Sequence, residues 1–189
     1  MESRQNEKNQ LPICLIKPQF GLGLDLKIIK PNDYKRLFSV ASDPLIWALH
    51  PDKLRYTPEG FTKYFHAALE PDCAAFIISH QESGEVMGSS RYYNIDPENG
   101  TLFIGFTFLS RKFWGGHWNK CLKALMIQHA LENFEEVYFE ADSANLRSIA
   151  ALRKIGAEEV PNPSNTEKLK FKITRKTWPK IQNLHFKQE

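Results

Sequence analysis

Gly115 and Gly116 stand side by side in the stretch Phe113-Trp114-Gly115-Gly116-His117-Trp118-Asn119, which joins an apolar strand-like segment to one with helical periodicity. A strand that enters a helix through adjacent glycines leaves the first backbone N–H groups of that helix without intrahelical partners. Those donors, together with the positive end of the helix dipole, suit a phosphate-bearing ligand. A glycine pair is equally the mark of an ordinary tight turn, so its surroundings decide its chemistry. His117, at the helix entrance, could add a donor to a phosphate there. Upstream, Gly105 interrupts the apolar run Leu102–Leu109. An isolated strand glycine marks a bulge or a close backbone approach. Its simpler use is to make room for a neighbouring phenylalanine.

The elements that must hold these residues follow from periodicity. Leu22, Leu24, Leu26 and Ile28 alternate as in a half-buried strand. Pro31-Asn32-Asp33 starts a helix through Tyr34, Leu37, Phe38 and Ala41, which Asp43-Pro44 ends. Ile46–His50 and Gly60–Leu69 read as further helical pieces. Cys73–Ser79, Val86–Ile95 and Thr101–Leu109 are three strands separated by turn chemistry, which makes an antiparallel meander. Trp118, Cys121, Leu122, Leu125, Met126, His129 and Ala130 form a helical stripe. Val137, Phe139 and Ala141 alternate in the next strand. Asn145 is a good N-cap for a helix Leu146–Ile155, with Gly156 as its stop. Leu169, Phe171 and Ile173 alternate with lysines in a last strand, whose lysine stripe reads as a solvated edge protected against pairing. The fold class expected is α+β, a single layered domain over 11–189, with residues 1–10 a mobile polar tail.

Composition limits the alternatives. The 189 residues suffice for one buried core and are too few for two ordinary domains. At 42% hydrophobic the chain is globular rather than disordered. A net charge of +3 is too small to argue for nucleic acid. No apolar run reaches the ~20 residues of a membrane helix, and the first residues lack the apolar stretch of a secretory signal. Cys14, Cys73 and Cys121 are odd in number, without a CxxC pair, so no disulfide framework or zinc site is indicated. A cytoplasmic setting is the default expectation, and the oligomeric state is left open.

The order of strand, glycine loop, helix, then Glu140-Ala141-Asp142-Ser143-Ala144-Asn145-Leu146-Arg147-Ser148 and Lys154-Ile155-Gly156-Ala157, resembles the GNAT superfamily of acetyl-CoA-dependent N-acetyltransferases. The branch it looks closest to contains the ribosomal-protein N-terminal acetyltransferases. The resemblance implies a mixed, mainly antiparallel central sheet with helices on both faces and a splay or bulge at the middle strands. It implies acetyl-CoA as acyl donor and no metal. The pyrophosphate would lie on the backbone of Trp114, Gly115, Gly116, His117, Trp118 and Asn119. The pantetheine arm would lie along Phe106, Thr107 and Phe108, and Asn145 would complete the coenzyme set. An N–H at the bulge could then hold the oxyanion of a tetrahedral intermediate. The loop departs from the superfamily pattern Q/R-x-x-G-x-G/A, often W-G-K-G-Y-A in this branch. His117 replaces the central glycine and Asn119 the final Gly or Ala. The chain is also similar to a branch with W-G-G-x-x-N followed by a lysine four residues on, matched by Asn119 and Lys123. In that reading the flexible position shifts to Gly116, and Lys123 adds at most a screened charge.

Acetyl transfer to an amine needs a proton removed from nitrogen and is helped by one delivered to sulfur. In the resembling family a base glutamate precedes the asparagine by five residues in L-E-V-R-x-x-N, which here is Glu140. A solvated edge glutamate is the plain alternative. The family's tyrosine in N-x-x-A-x-x-L-Y falls on Leu152, so it is absent. The pattern N-x-x-S gives Ser148 as donor to the sulfur, or merely as a cap, with Tyr138 a further candidate. His129 reads as a satisfied half-buried histidine. Acceptor choice would be made about Trp47–Phe65, where Trp47, His50, Tyr56, Tyr64 and Phe65 supply aromatic wall. An aromatic stripe at helical spacing is ordinarily core, and no carboxylate cluster announces a polyamine. The expected function is transfer of acetyl to a primary amine, a protein N-terminus or a small molecule, in a ternary complex. The contrary reading is a catalytically silent GNAT-fold module that binds acyl-CoA or regulates a partner.

Overall fold

A computed structural model describes Leu15, Lys17 and residues 19–164 and 167–185. The expected tail at 1–10 and Cys14 lie outside the described residues. Eight strands form one sheet: β1 (Gln19–Gly21), β2 (Leu24–Ile28), β3 (Ala74–His80), β4 (Val86–Asp96), β5 (Thr101–Leu109), β6 (Glu136–Asp142), β7 (Glu158–Val160) and β8 (Lys168–Thr174). Their spatial order is β1-β2-β3-β4-β5-β6-β8-β7. Among the described residues only β5 and β6 are parallel. The mixed α+β class with helices on both faces is as expected.

The helices α1 (Tyr34–Ala41) and α2 (Pro58–His66) cover one face of the first strands. On α2, Thr57 caps the start by accepting from the Gly60 amide at 3.1 Å. Helix α3 (Trp118–Ala130) crosses from β5 to β6 on the other face, joined there by α4 (Leu146–Lys154) and α5 (Trp178–His185). The stretch after Pro44 is a single 3-10 turn, Pro44–Ile46, rather than a helix at 46–50.

Several expectations need correction. Leu22 is not in a strand; with Gly23 it turns between β1 and β2 at φ 53°, so the alternation began in a hairpin bend. Strands β1 and β7, three residues each, and helix α5 carry too little periodicity to be read from sequence. The lysine stripe is not an edge, because β8 lies between β6 and β7. Its lysines meet β6 instead. Lys172 Nζ stands 3.0 Å from Glu136 Oε1, Lys168 Nζ 3.4 Å from Glu140 Oε2, and Lys170 Nζ 4.2 Å from the Tyr138 ring.

The buried face of α3 is Leu122, Lys123, Ala124, Met126, Ile127 and Ala130. Cys121, Leu125 and His129, counted on the same stripe in the sequence reading, sit at its flank, half-buried. Sheet and helix turn the face so that Ile127 enters the core, and Lys123 enters with it. Each fully buried Leu, Ile or Met here contributes roughly 1.5–3 kcal/mol.

Candidate active site

The middle of the sheet opens into a wedge. The parallel ladder between β5 and β6 has only three pairs, ending at Phe103↔Tyr138, although β5 runs on to Leu109 and β6 to Asp142. On the other side, β4–β5 pairing steps from Arg91↔Gly105 to Ser89↔Phe108, so Phe106 and Thr107 together oppose Ser90. This is a β-bulge, and a bulge twists its strand away from the neighbour. Phe106 carries the left-handed backbone, φ 52°, a costly conformation for a phenylalanine. Tyr64 Oη holds it, donating to the Phe106 carbonyl at 2.8 Å. Arg91 Cζ lies 4.3 Å from the centre of the Phe106 ring.

Gly105 is not itself the bulge. A Cβ there would lie 2.8 Å from Tyr93 Cε1, so its absence lets that ring lie against the strand. Tyr93 also meets Phe106 edge to face at 5.0 Å. Burial, and then the charge of Glu140, push the Tyr93 hydroxyl well above its ordinary range. Tyr93 and Arg91 carry no spacing signal in a strand sequence, and Tyr64, read there as aromatic wall, instead braces the bulge.

Because β5 and β6 are parallel, both their C-terminal ends lie at the open end of the wedge. The chain leaves β5 there into the Trp114–His117 loop and α3, and leaves β6 there into α4. The first intrahelical bond of α3 runs from Cys121 N–H to the His117 carbonyl at 2.9 Å, so the amides of Gly116 through Asn119 precede the ladder. His117 is the N-cap residue, in ordinary right-handed backbone, and its side chain caps nothing. The left-handed position is Gly115, φ 74°, and not Gly116. That corrects the flexible-Gly116 reading: the loop accommodates His117 by making its sharp turn two residues earlier. Gly115 and Gly116 are both exposed.

Asn145 is buried and caps α4, its Oδ1 accepting from the Ser148 amide at 3.1 Å. The helix starts of α3 and α4 are bridged across the open end. Arg147 Cζ stands 4.1 Å from the Trp114 ring centre, and its Nη2 donates to the Ile46 carbonyl at 3.0 Å. Of the sequence-derived residues, Phe106–Phe108 and Glu140 lie past the last β5–β6 pair, and Trp114–Asn119, Asn145 and Ser148 lie in the loops and helix starts that follow those strands.

They do so on different faces. Glu140 is half-buried on the β6 face that α1 and α2 leave uncovered, beside Lys168. Tyr138 is committed elsewhere: its hydroxyl donates to Glu136, and burial followed by that carboxylate pushes it up to about 12. Leu152, at the position of the missing tyrosine, is buried in the core. Trp47, Tyr64 and Phe65 are core as well, whereas Tyr56 is exposed and His50 half-buried.

Lys123 does not neighbour the loop as a screened charge. It is 8% exposed, and its Nζ donates to Thr107 Oγ1 at 3.1 Å beneath the bulge. The signal was present in the sequence, as the one charged residue within the apolar face Leu122, Met126, Ile127 and Ala130. Among the described residues no group of three His, Cys, Asp or Glu could hold a metal, and no helix is long and apolar enough to cross a membrane.

His50 makes folding acid-sensitive. Burial, then the Arg55 guanidinium, lower it from 6.5 to about 4. The unfolded chain takes up this proton near 6.5 and the folded one only near 4. Folding stability therefore falls as pH drops through that window, and this contribution levels off below it. His50→Gln is expected to flatten that part of the curve of Tm against pH; an unchanged slope would assign the acid sensitivity to other groups.

Fold and wedge together define an α+β protein with free helix-start amides at the mouth of an opened strand pair. The acetyltransferase (GNAT) domain family matches residues 24–158, and the chain belongs to that family. Among solved structures it is similar to a GCN5-related N-acetyltransferase from Brucella melitensis, with 18% identity, 90% of this chain and 84% of that one covered, and a TM-score of 0.77. It is also similar to a RimJ protein of Mycobacterium smegmatis in complex with CoA-disulfide, at 15% identity, 89% and 92% coverage, and TM-score 0.65. A third likeness is to a spermidine N-acetyltransferase from Vibrio cholerae in complex with CoA and spermine, at 9% identity, 84% and 99% coverage, and TM-score 0.66. No curated protein matches the sequence at a significant level.

Proposed function

We propose that this protein transfers acetyl from acetyl-CoA to a primary amine, on a protein N-terminus or a small molecule, in a ternary complex like that of the ribosomal-protein N-terminal acetyltransferase branch. The observation that carries the reading is the wedge between β5 and β6, with the amides that open α3 at its mouth. Strand backbone left without a ladder partner suits the amide-bearing pantetheine arm, and helix-start amides suit the pyrophosphate. The residues present fit the coenzyme. Gly115, Gly116, His117, Trp118 and Asn119 would hold the phosphates with Trp114 beside them. Phe106, Thr107 and Phe108 would flank the arm, and Asn145 would border it.

Glu140 acts as base toward the acceptor ammonium. Its support is position: past the end of the ladder, on the uncovered face, with Tyr93 close enough to feel its charge. Ser148, in the first turn of α4, offers a hydroxyl on the sulfur side. A cytoplasmic setting belongs to this reading.

The test has two stages. Acetyl-CoA or coenzyme A at a hundredfold above Kd should stabilise the fold by about 2.7 kcal/mol, visible as a rise in Tm. Release of coenzyme thiol is then followed against a panel of amines. No shift with millimolar coenzyme overturns the reading. A shift without turnover on any amine favours the silent, acyl-CoA-binding alternative, to which the missing tyrosine at Leu152 lends weight.

A further inference from the structure

A buried ammonium sits where the wedge begins. Lys123 reaches from α3 to the floor between the two diverging strands. Its Nζ is 3.1 Å from Thr107 Oγ1 in the bulge of β5, and 5.2 Å from the ring centre of Phe139 on β6, one residue past the last ladder pair. Thr107 Oγ1 in turn lies 2.7 Å from Ser90 Oγ, which donates to the Gly105 carbonyl at 3.4 Å. The groups against Nζ are thus the Thr107 hydroxyl from β5, with Ser90 of β4 behind it, and an aromatic ring from β6. No ion pair reaches Lys123 among the described residues. Burial alone lowers it, from 10.5 to about 8.

A buried charge without a counter-ion is costly, and substituting it with an apolar residue of similar volume would ordinarily stabilise a fold. Its place beneath the bulge, rather than at the phosphate loop, points to an anion formed inside the wedge. Thioester transfer forms two anions there, the carbonyl oxyanion, which a bulge N–H can hold, and the departing thiolate, which is left for the ammonium. Resting on the acetyl-CoA reading above, we infer that Lys123 is the group that receives the coenzyme sulfur as the thioester breaks.

The step balances. The acceptor nitrogen attacks the acetyl carbon, and the electron pair of the C–S bond goes to sulfur. One Nζ proton of Lys123 follows that pair, so coenzyme A leaves as a thiol. The surplus proton of the acceptor nitrogen goes to Glu140 or to water, and Lys123 regains its proton from solvent after the thiol departs. Burial that draws the amine below its ordinary range brings it closer to a thiol, which favours proton transfer from one to the other. Ser148 then adds a hydrogen bond to sulfur at most.

The test needs no acceptor. Free coenzyme A is bound to the wild-type protein and to Lys123→Met, Lys123→Gln and Ser148→Ala, each shown folded by its melting curve. The ultraviolet thiolate band is titrated against pH, with the same proteins carrying desulfo-coenzyme A as reference. The wild-type and Ser148→Ala proteins should show about tenfold more thiolate at neutral pH than either Lys123 variant, one unit of thiol acidity. Equal titration in all four, with coenzyme bound, overturns the inference and leaves the acetyl-CoA reading intact. Loss of the effect in Ser148→Ala alone overturns it in favour of the hydroxyl. A wild-type protein that binds no coenzyme removes both.

Discussion

Glu140→Gln is expected to lower acetyl transfer by about 10²–10⁴-fold at neutral pH, the usual loss when a general base is removed. The substitution keeps the shape of a side chain that stands 22% exposed on β6 with Lys168 beside it. It removes the ability to take a proton from the acceptor ammonium. The rate should recover partly as pH rises, because more of the amine is then already neutral. Ser148→Ala should show no such rescue, since removing its hydroxyl takes away no base for the acceptor ammonium. A pH–rate profile for each variant with one acceptor measures this. If Glu140→Gln leaves rate and profile unchanged, the base lies elsewhere, with Tyr93 the next residue to vary.

Gly116→Asp should weaken coenzyme binding by roughly 5- to 150-fold, the 1–3 kcal/mol expected for a carboxylate a few ångströms from a phosphate in partly solvated surroundings. Its Cβ would meet only Trp118 Cδ1 at 3.7 Å, an ordinary contact, and its backbone is not left-handed. The fold should be unharmed or slightly stabilised, because a negative charge suits the start of α3. Gly116→Ala separates size from charge and should bind nearly as the wild-type protein does. The loop is exposed, so the difference should shrink as salt is raised. Calorimetric titration decides it, and equal affinities for the Asp and Ala variants would remove this loop from the phosphate site.

Much of the site was legible because its elements are local. The strand Thr101–Leu109, the glycine pair, the helix from Trp118 and the Asn145 cap all follow from periodicity and capping within a few residues, and the structure has each of them. The Asn145 cap shows why: one side chain and one amide three residues away suffice, and nothing distant can revoke the bond. Where a local rule met a tertiary choice, the choice prevailed. The lysines of β8 read as an edge because alternation reports which way side chains point and not which strand lies alongside. Pairing of β8 with β6 made them partners of Glu136, Tyr138 and Glu140, and β7 on the far side took the edge away from them.

The same division separates the chain's chemistry from its placement. By itself the sequence determined that a strand would feed a helix through glycines and that Glu140, Asn145 and Ser148 would follow at fixed spacing. It also marked Gly105 in the strand before them as a bulge or a close approach. The tertiary structure alone decided that the bulge falls on Phe106 and Thr107, held by Tyr64 from α2, and that Tyr93 occupies the space Gly105 leaves. It also rotated α3 so that Lys123 is buried beneath that bulge while Cys121 and Leu125 move to the flank. The reason is physical: helical spacing allows more than one apolar stripe on α3, and only close packing against the sheet selects which one turns inward.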